Sequence, residues 1–123
     1  MNTKEYELYV KTDCWQIRRD TYISRYGPAC EVCENAIDGL DVHHLTYERL
    51  GIELDDDLMA LCRPCHSAVH GVVTFSEWEE FIAILMKKLK SGKHAPRYLK
   101  LVEQVLKKHG CGELAQKREV VRA

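Results

Sequence analysis

The apolar positions along the chain follow two rhythms, one helical and one extended. From about Asp13 to Tyr26, Trp15, Arg18, Tyr22 and Tyr26 recur at helical intervals, with the stem of Arg18 along the aromatic face, before Gly27 and Pro28 stop the run. That predicts a first helix. Further on, Trp78, Phe81, Ile82, Leu85, Met86 and Leu89 form the stripe of an amphipathic helix, with Ser76 and Glu79 as its capping box and Ser91-Gly92 as its end. Pro96 opens another helix, with Tyr98, Leu101, Val102, Val105 and Leu106 on one side and Gly110 as its stop. Residues 113–123 read as a frayed tail.

The middle of the chain is different. Leu40–Leu45 (LDVHHL), bounded by Gly39, and Leu58–Leu61 (LMAL) are short apolar runs that read as strands. The polar stretch Thr46–Asp57, with Gly51 and three successive aspartates, reads as a long loop. From Arg63 or Pro64 to about His70 a short helix is expected, with proline near its start and Gly71 after its end. The fold class is therefore α+β: a small two-strand core with an N-terminal helix and a C-terminal helical hairpin. The segments are a helical lead-in over 1–29, a core over 30–71, and a helical extension and tail over 72–123. No internal repeat or low-complexity tract interrupts them.

A chain of 123 residues suits one domain, or one small domain with an appendage. Charge is nearly balanced overall, with 18 Lys+Arg against 19 Asp+Glu, but it is unevenly distributed. Residues 1–75 hold 7 basic and 13 acidic side chains; residues 76–123 hold 11 basic and 6 acidic. A basic half suits a polyanion, since each neutralised phosphate releases a counterion; a solvated helical surface has the same composition. No run approaches the roughly 20 apolar residues of a membrane span. The start, MNTKEYELYVKTD, lacks the apolar stretch of a secretory leader. The expectation is a soluble cytoplasmic protein.

Six cysteines change the picture. In a reducing compartment disulfides do not persist, so spacing decides. Cys30 and Cys33 form one C-x-x-C and Cys62 and Cys65 a second, a spacing that turns paired thiolates onto one tetrahedral metal. The 28 residues between Cys33 and Cys62 exceed the span of a compact zinc ribbon and must hold structure of their own. Four thiolates leave no open position for substrate, so the implied zinc is structural. Cys14 and Cys111 are left as free thiols.

The histidines are grouped too. His66 and His70 stand at i and i+4 on the short helix, where two imidazoles grip one divalent ion from one face. His43 and His44 are adjacent in the first strand: one supplies a third ligand and the other is left to act as a base. Taken singly, a His-His pair is an ordinary polar strand end and an H-x-x-x-H pair an ordinary helix surface. All four lie inside one four-cysteine frame.

The run LDVHHLTYERLGIELDDDLMALCRPCHSAVH, with Cys30-x-x-Cys33 ahead of it, resembles the core of the HNH endonuclease superfamily, the ββα-metal fold. The likeness extends over roughly residues 15–71, because Trp15–Tyr26 is similar to the helix that often precedes the first knuckle. The resemblance implies a zinc-stapled ββα-metal core that hydrolyses phosphodiester bonds in DNA. It implies that His44 is the general base, that His43, His66 and His70 hold the catalytic ion, and that Cys30, Cys33, Cys62 and Cys65 hold structural Zn2+. The catalytic ion it implies is Mg2+, Mn2+, Ni2+ or Zn2+. The middle asparagine of the family pattern is replaced by Asp57, which in that place either braces the loop or ligates the metal, and as a carboxylate favours Mg2+ or Mn2+. Because neighbouring strand residues face opposite ways, the mechanism requires the first strand to bend or end between His43 and His44.

Double-stranded DNA is the expected partner. Arg49, Arg63, Arg18 and Arg19 flank the site, and Lys87, Lys88, Lys90, Lys93, Arg97 and Lys100 extend a basic track. No base-reading module accompanies them, so sequence specificity is expected to be weak. Two other readings compete: a zinc-folded nucleic-acid or protein binding module without catalysis, and a nuclease subunit of a larger phage, restriction or defence complex. In the latter, the C-terminal helices are the docking surface, for a protein partner or a second copy.

Overall fold

A computed structural model describes residues 3–36 and 39–108. The element order is α1 (Thr3–Tyr9), α2 (Asp13–Tyr26), β1 (Asp41–His44), a single 3₁₀ turn (Asp55–Asp57), β2 (Leu58–Leu61), α3 (Arg63–Val69), α4 (Phe75–Lys90) and α5 (Ala95–Lys108). The mixture is α+β, as the periodicity predicts, with one two-stranded antiparallel sheet. The chain divides into two units, Met1–His66 and Ser67–Ala123. Gly110, Cys111 and the tail 113–123, which the sequence reads as a helix stop, a free thiol and a frayed end, lie outside the described residues.

In the first unit, α2 starts where Thr12 accepts a hydrogen bond from the Trp15 amide, and it buries Trp15 and Tyr22. The strands pair in the register Asp41–Leu61, Val42–Ala60, His43–Met59 and His44–Leu58. Every residue of β2 is buried, as a short continuous apolar strand should be. The first knuckle is pinned to β2 by a backbone bond from Glu31 N to Ala60 O at 2.9 Å and by the Glu31 carboxylate, which accepts from Ala60 N at 2.7 Å. The Tyr22 hydroxyl donates to the same carboxylate and lies 3.1 Å from Leu58 O, so α2, knuckle and strand meet at one point.

The long loop is shorter on freedom than its composition suggests, because Asp57 organises it. This carboxylate is fully buried and accepts from Arg49 Nε at 2.7 Å, from Arg49 Nη2 and from Leu54 N at 2.9 Å. Its backbone carbonyl accepts from Leu45 N at 2.7 Å. Arg18 adds a second tie, donating to Glu53 O at 3.0 Å and to Asp55 at 2.6 Å.

Three local expectations shift. α1 lies in a stretch with no clear apolar stripe; its Tyr6 and Tyr9 find their partners in tertiary contact. The last turn of the expected loop is 3₁₀ helix. The capping box of α4 is Thr74 with Glu77, two residues before the Ser76–Glu79 pair, which satisfies the same sequence rule. In the second unit α4 buries Phe81 and Leu85, and α5 buries Tyr98, Leu101 and Val105.

Replacing Asp57 with alanine strands the Arg49 guanidinium and the Leu54 amide. Arg49 keeps part of its guanidinium in solvent, so the loss is that of the hydrogen bonds to a buried carboxylate, about 1.5–3 kcal/mol. Denaturant unfolding of zinc-loaded Asp57→Ala should show a loss of that size, and an unchanged midpoint would refute the bracing role.

Candidate metal centre

The four cysteines of the two knuckles come together. Cys30, Cys33, Cys62 and Cys65 place their sulfurs within 4.8 Å of one another, with Cys33 and Cys62 3.6 Å apart. Tetrahedral zinc with sulfur ligands at about 2.3 Å requires sulfurs about 3.8 Å apart, so the donor set fits with minor closure. Local backbone prepares it. The Val32 amide points at Cys30 Sγ at 3.4 Å, and Glu34, at φ 67, makes the left-handed turn that ends the first knuckle. Cys62 follows β2 directly and Cys65 sits one turn along α3.

Electrostatics say the same. A hydrogen bond from Cys65 pulls the Cys30 thiol down to about 4, against the cost of burial and with help from backbone amides. The proton shared with Cys30 pushes Cys65 up, and burial pushes Cys62 up to about 11. Four sulfurs packed this closely sustain few negative charges among themselves; a dication removes that conflict. Cys14 stands apart as an exposed free thiol.

The second cluster is nitrogenous. Ring nitrogens of His43, His66 and His70 all lie within 4.8 Å of one another, and the His43 and His66 rings are 5.3 Å apart, edge to face. His66 lies on α3 and His70 directly follows it, so the i, i+4 spacing brings both round to the face of β1 that carries His43. Asp41, two residues before His43 and hence on the same face, receives His66 Nδ1 at 3.0 Å and Arg63 Nε at 3.1 Å on one carboxylate oxygen. Sequence reasoning missed Asp41. The signal was there, since i and i+2 share a strand face.

His44 does not join them. β1 neither bends nor ends between His43 and His44: both residues are in the paired strand, and their side chains leave by opposite faces. The His44 ring has no exposed surface, and its Nε2 lies 2.8 Å from Glu53 Oε2. Aromatic rings surround it, with Trp15 at 4.5 Å, Tyr6 at 5.6 Å, Tyr47 at 5.7 Å and Tyr9 at 6.5 Å. Tyr9 also donates to the other Glu53 oxygen at 2.9 Å. Burial pushes the His44 pKa down, and the hydrogen bond and charge of Glu53 oppose that shift. A base must touch the water it activates, and the His44 ring is closed off from solvent.

Asp57 braces the loop, one of the two roles its position allows, and is not among the three histidines that come together.

Several arginines also have internal duties. Arg18 is tied to Asp55 and Glu53, Arg49 to Asp57, and Arg19 to Leu40 O at 2.8 Å. Arg63 remains 76% exposed in its side chain beside Asp41. In the second unit Lys87, Lys90 and Lys93 are exposed and Lys88 and Lys100 half-buried, but Arg97 is buried at 2% and does not extend a basic surface.

Residues 30–71, from the first knuckle cysteine to the glycine after His70, match the family model described as HNH endonuclease. That stretch, 42 of the 123 residues, is similar to HNH endonucleases. That segment contains every member of both ligand clusters. Comparison with curated proteins and with solved structures gave no match. Among the described residues, no helix is long and apolar enough to cross a membrane.

The two clusters predict two classes of metal equivalent. Zinc-loaded protein should retain one tightly held zinc in His43→Ala and in His70→Ala while a second equivalent of Ni2+, followed by calorimetry, is lost. Cys33→Ser or Cys62→Ser should instead release the zinc and abolish cooperative unfolding of residues 30–71, since such sites contribute on the order of 10 kcal/mol to folding. A folded protein with normal Ni2+ uptake after either cysteine change would remove the structural role.

Proposed function

We propose that this chain is a metal-dependent endonuclease that hydrolyses phosphodiester bonds in DNA, with its ion held by His43, His66 and His70. The observation that carries the reading is the convergence of those three imidazoles inside the segment that matches HNH endonuclease. Three neutral nitrogen donors favour a borderline ion such as Ni2+ or Zn2+ over Mg2+. When bound, a divalent ion supplies positive charge for the oxygens of the scissile phosphate. Arg63, exposed beside the cluster, offers a guanidinium to a phosphate oxygen. Asp41 keeps that guanidinium near the site until DNA competes for it. The exposed lysines of α4 add sequence-independent attraction, consistent with weak specificity.

His44 has a different part in this reading. Its bond to Glu53 closes the aromatic box and anchors β1, so it positions His43 on the opposite face. A positioned general base contributes about 10²–10⁴-fold to rate. Without that contribution the enzyme should cut slowly. The burial of His44 also favours a second reading, a zinc-folded binding module that holds DNA without cleaving it.

Plasmid cleavage separates these readings. With Ni2+ or Mn2+ the natural chain should nick or cut supercoiled DNA, and His43→Ala should lower the rate on the order of 100-fold or more while the structural zinc stays. His44→Ala should lose about 3 kcal/mol of stability by leaving Glu53 buried without its imidazole. His44→Gln, which keeps an amide donor, should fold and still cut. Loss of cutting in a well-folded His44→Gln protein would return that residue to the reaction, and DNA binding without cleavage under every ion would favour the binding module.

A further inference from the structure

The Asp41 carboxylate stands where a metal ligand usually finds its outer support. One oxygen, Oδ2, lies 3.0 Å from His66 Nδ1 and 3.1 Å from Arg63 Nε, and the other lies 3.4 Å from Arg63 Nη2. A carboxylate only accepts, so the His66 proton sits on Nδ1 and the lone pair is on Nε2. The ring is thereby fixed at one end by a residue of β1 and presented from α3 toward His43, another residue of β1. Asp41 and His43 share a strand face, which gives carboxylate and ligand the same rigid backing. Arg63, from the first turn of α3, holds the carboxylate from its open side.

We propose that Asp41 is a positioning residue of the histidine metal site, which fixes the protonation and orientation of His66 so that its Nε2 faces the ion. This rests on the reading that His43, His66 and His70 hold one. Imidazole ligands braced by a carboxylate bind better than unbraced ones because their tautomer and angle are already chosen and their donor nitrogen is more basic. Asp41 acts on the ion only through His66 and has no place in the ligand set.

Two measurements on the zinc-loaded full chain test it. Nitrogen-15 correlation spectra without added ion report the His66 tautomer: the natural chain should show Nδ1–H, and Asp41→Ala should shift toward Nε2–H. Nickel titration should find Asp41→Ala about 10- to 100-fold weaker than the natural chain, with the sulfur-bound zinc unchanged. Asp41→Asn, which keeps an oxygen acceptor, should keep the Nδ1–H form and lose less than Asp41→Ala; it also serves if the alanine protein does not fold, where unaltered nickel affinity overturns the proposal. A natural His66 protonated on Nε2, or an Asp41→Ala protein with normal nickel affinity, overturns it as well. If the natural chain takes up no nickel beyond its zinc, the ion-site reading fails and the proposal with it, whereas the tautomer spectra still show separately whether Asp41 orients the ring.

Discussion

The pairing of β1 with β2 governs what the rest of the molecule is able to do. A paired strand sends successive side chains to opposite faces, and four residues of β1 are enough to sort the chemistry. Asp41 and His43 go to the α3 side, where three histidines gather. Val42 and His44 go to the interior, where His44 meets Glu53 and four aromatic rings. A one-residue slip in register would exchange these roles. The knuckle that holds Glu31 against Ala60 and the Asp57 carbonyl that receives Leu45 N fix the register from both ends.

Much of this was legible in the chain. Two C-x-x-C pairs have few physical uses, and the i, i+4 histidines have a face in common by helical geometry alone. The strands, the short helix and α2 fall where periodicity puts them, because each is a run whose apolar residues must be buried together. What escaped was the partnership of polar groups distant in sequence. Glu53 is buried with a histidine nine positions away, and nothing in the loop's polar composition distinguishes it from Glu48, which is exposed. Asp57 was recognised as special by position, while its partner Arg49 was read as a hand for DNA. Long side chains that look available in a sequence are often spent on the protein itself.

The resemblance to HNH nucleases named three histidines that lie together and met a difficulty at His44. The family pattern assigns roles by position, whereas burial and hydrogen bonding assign them by surroundings. The same two adjacent histidines illustrate how one residue step in an extended chain separates a side chain in the histidine cluster from one buried against a carboxylate.

Cys65 and His66 are consecutive residues of α3, one committed to sulfur chemistry and the other to nitrogen. The helix that completes the thiolate set is therefore also the arm that carries imidazoles to β1. The backbone position of the sulfur cluster thereby sets where the His66 ring begins.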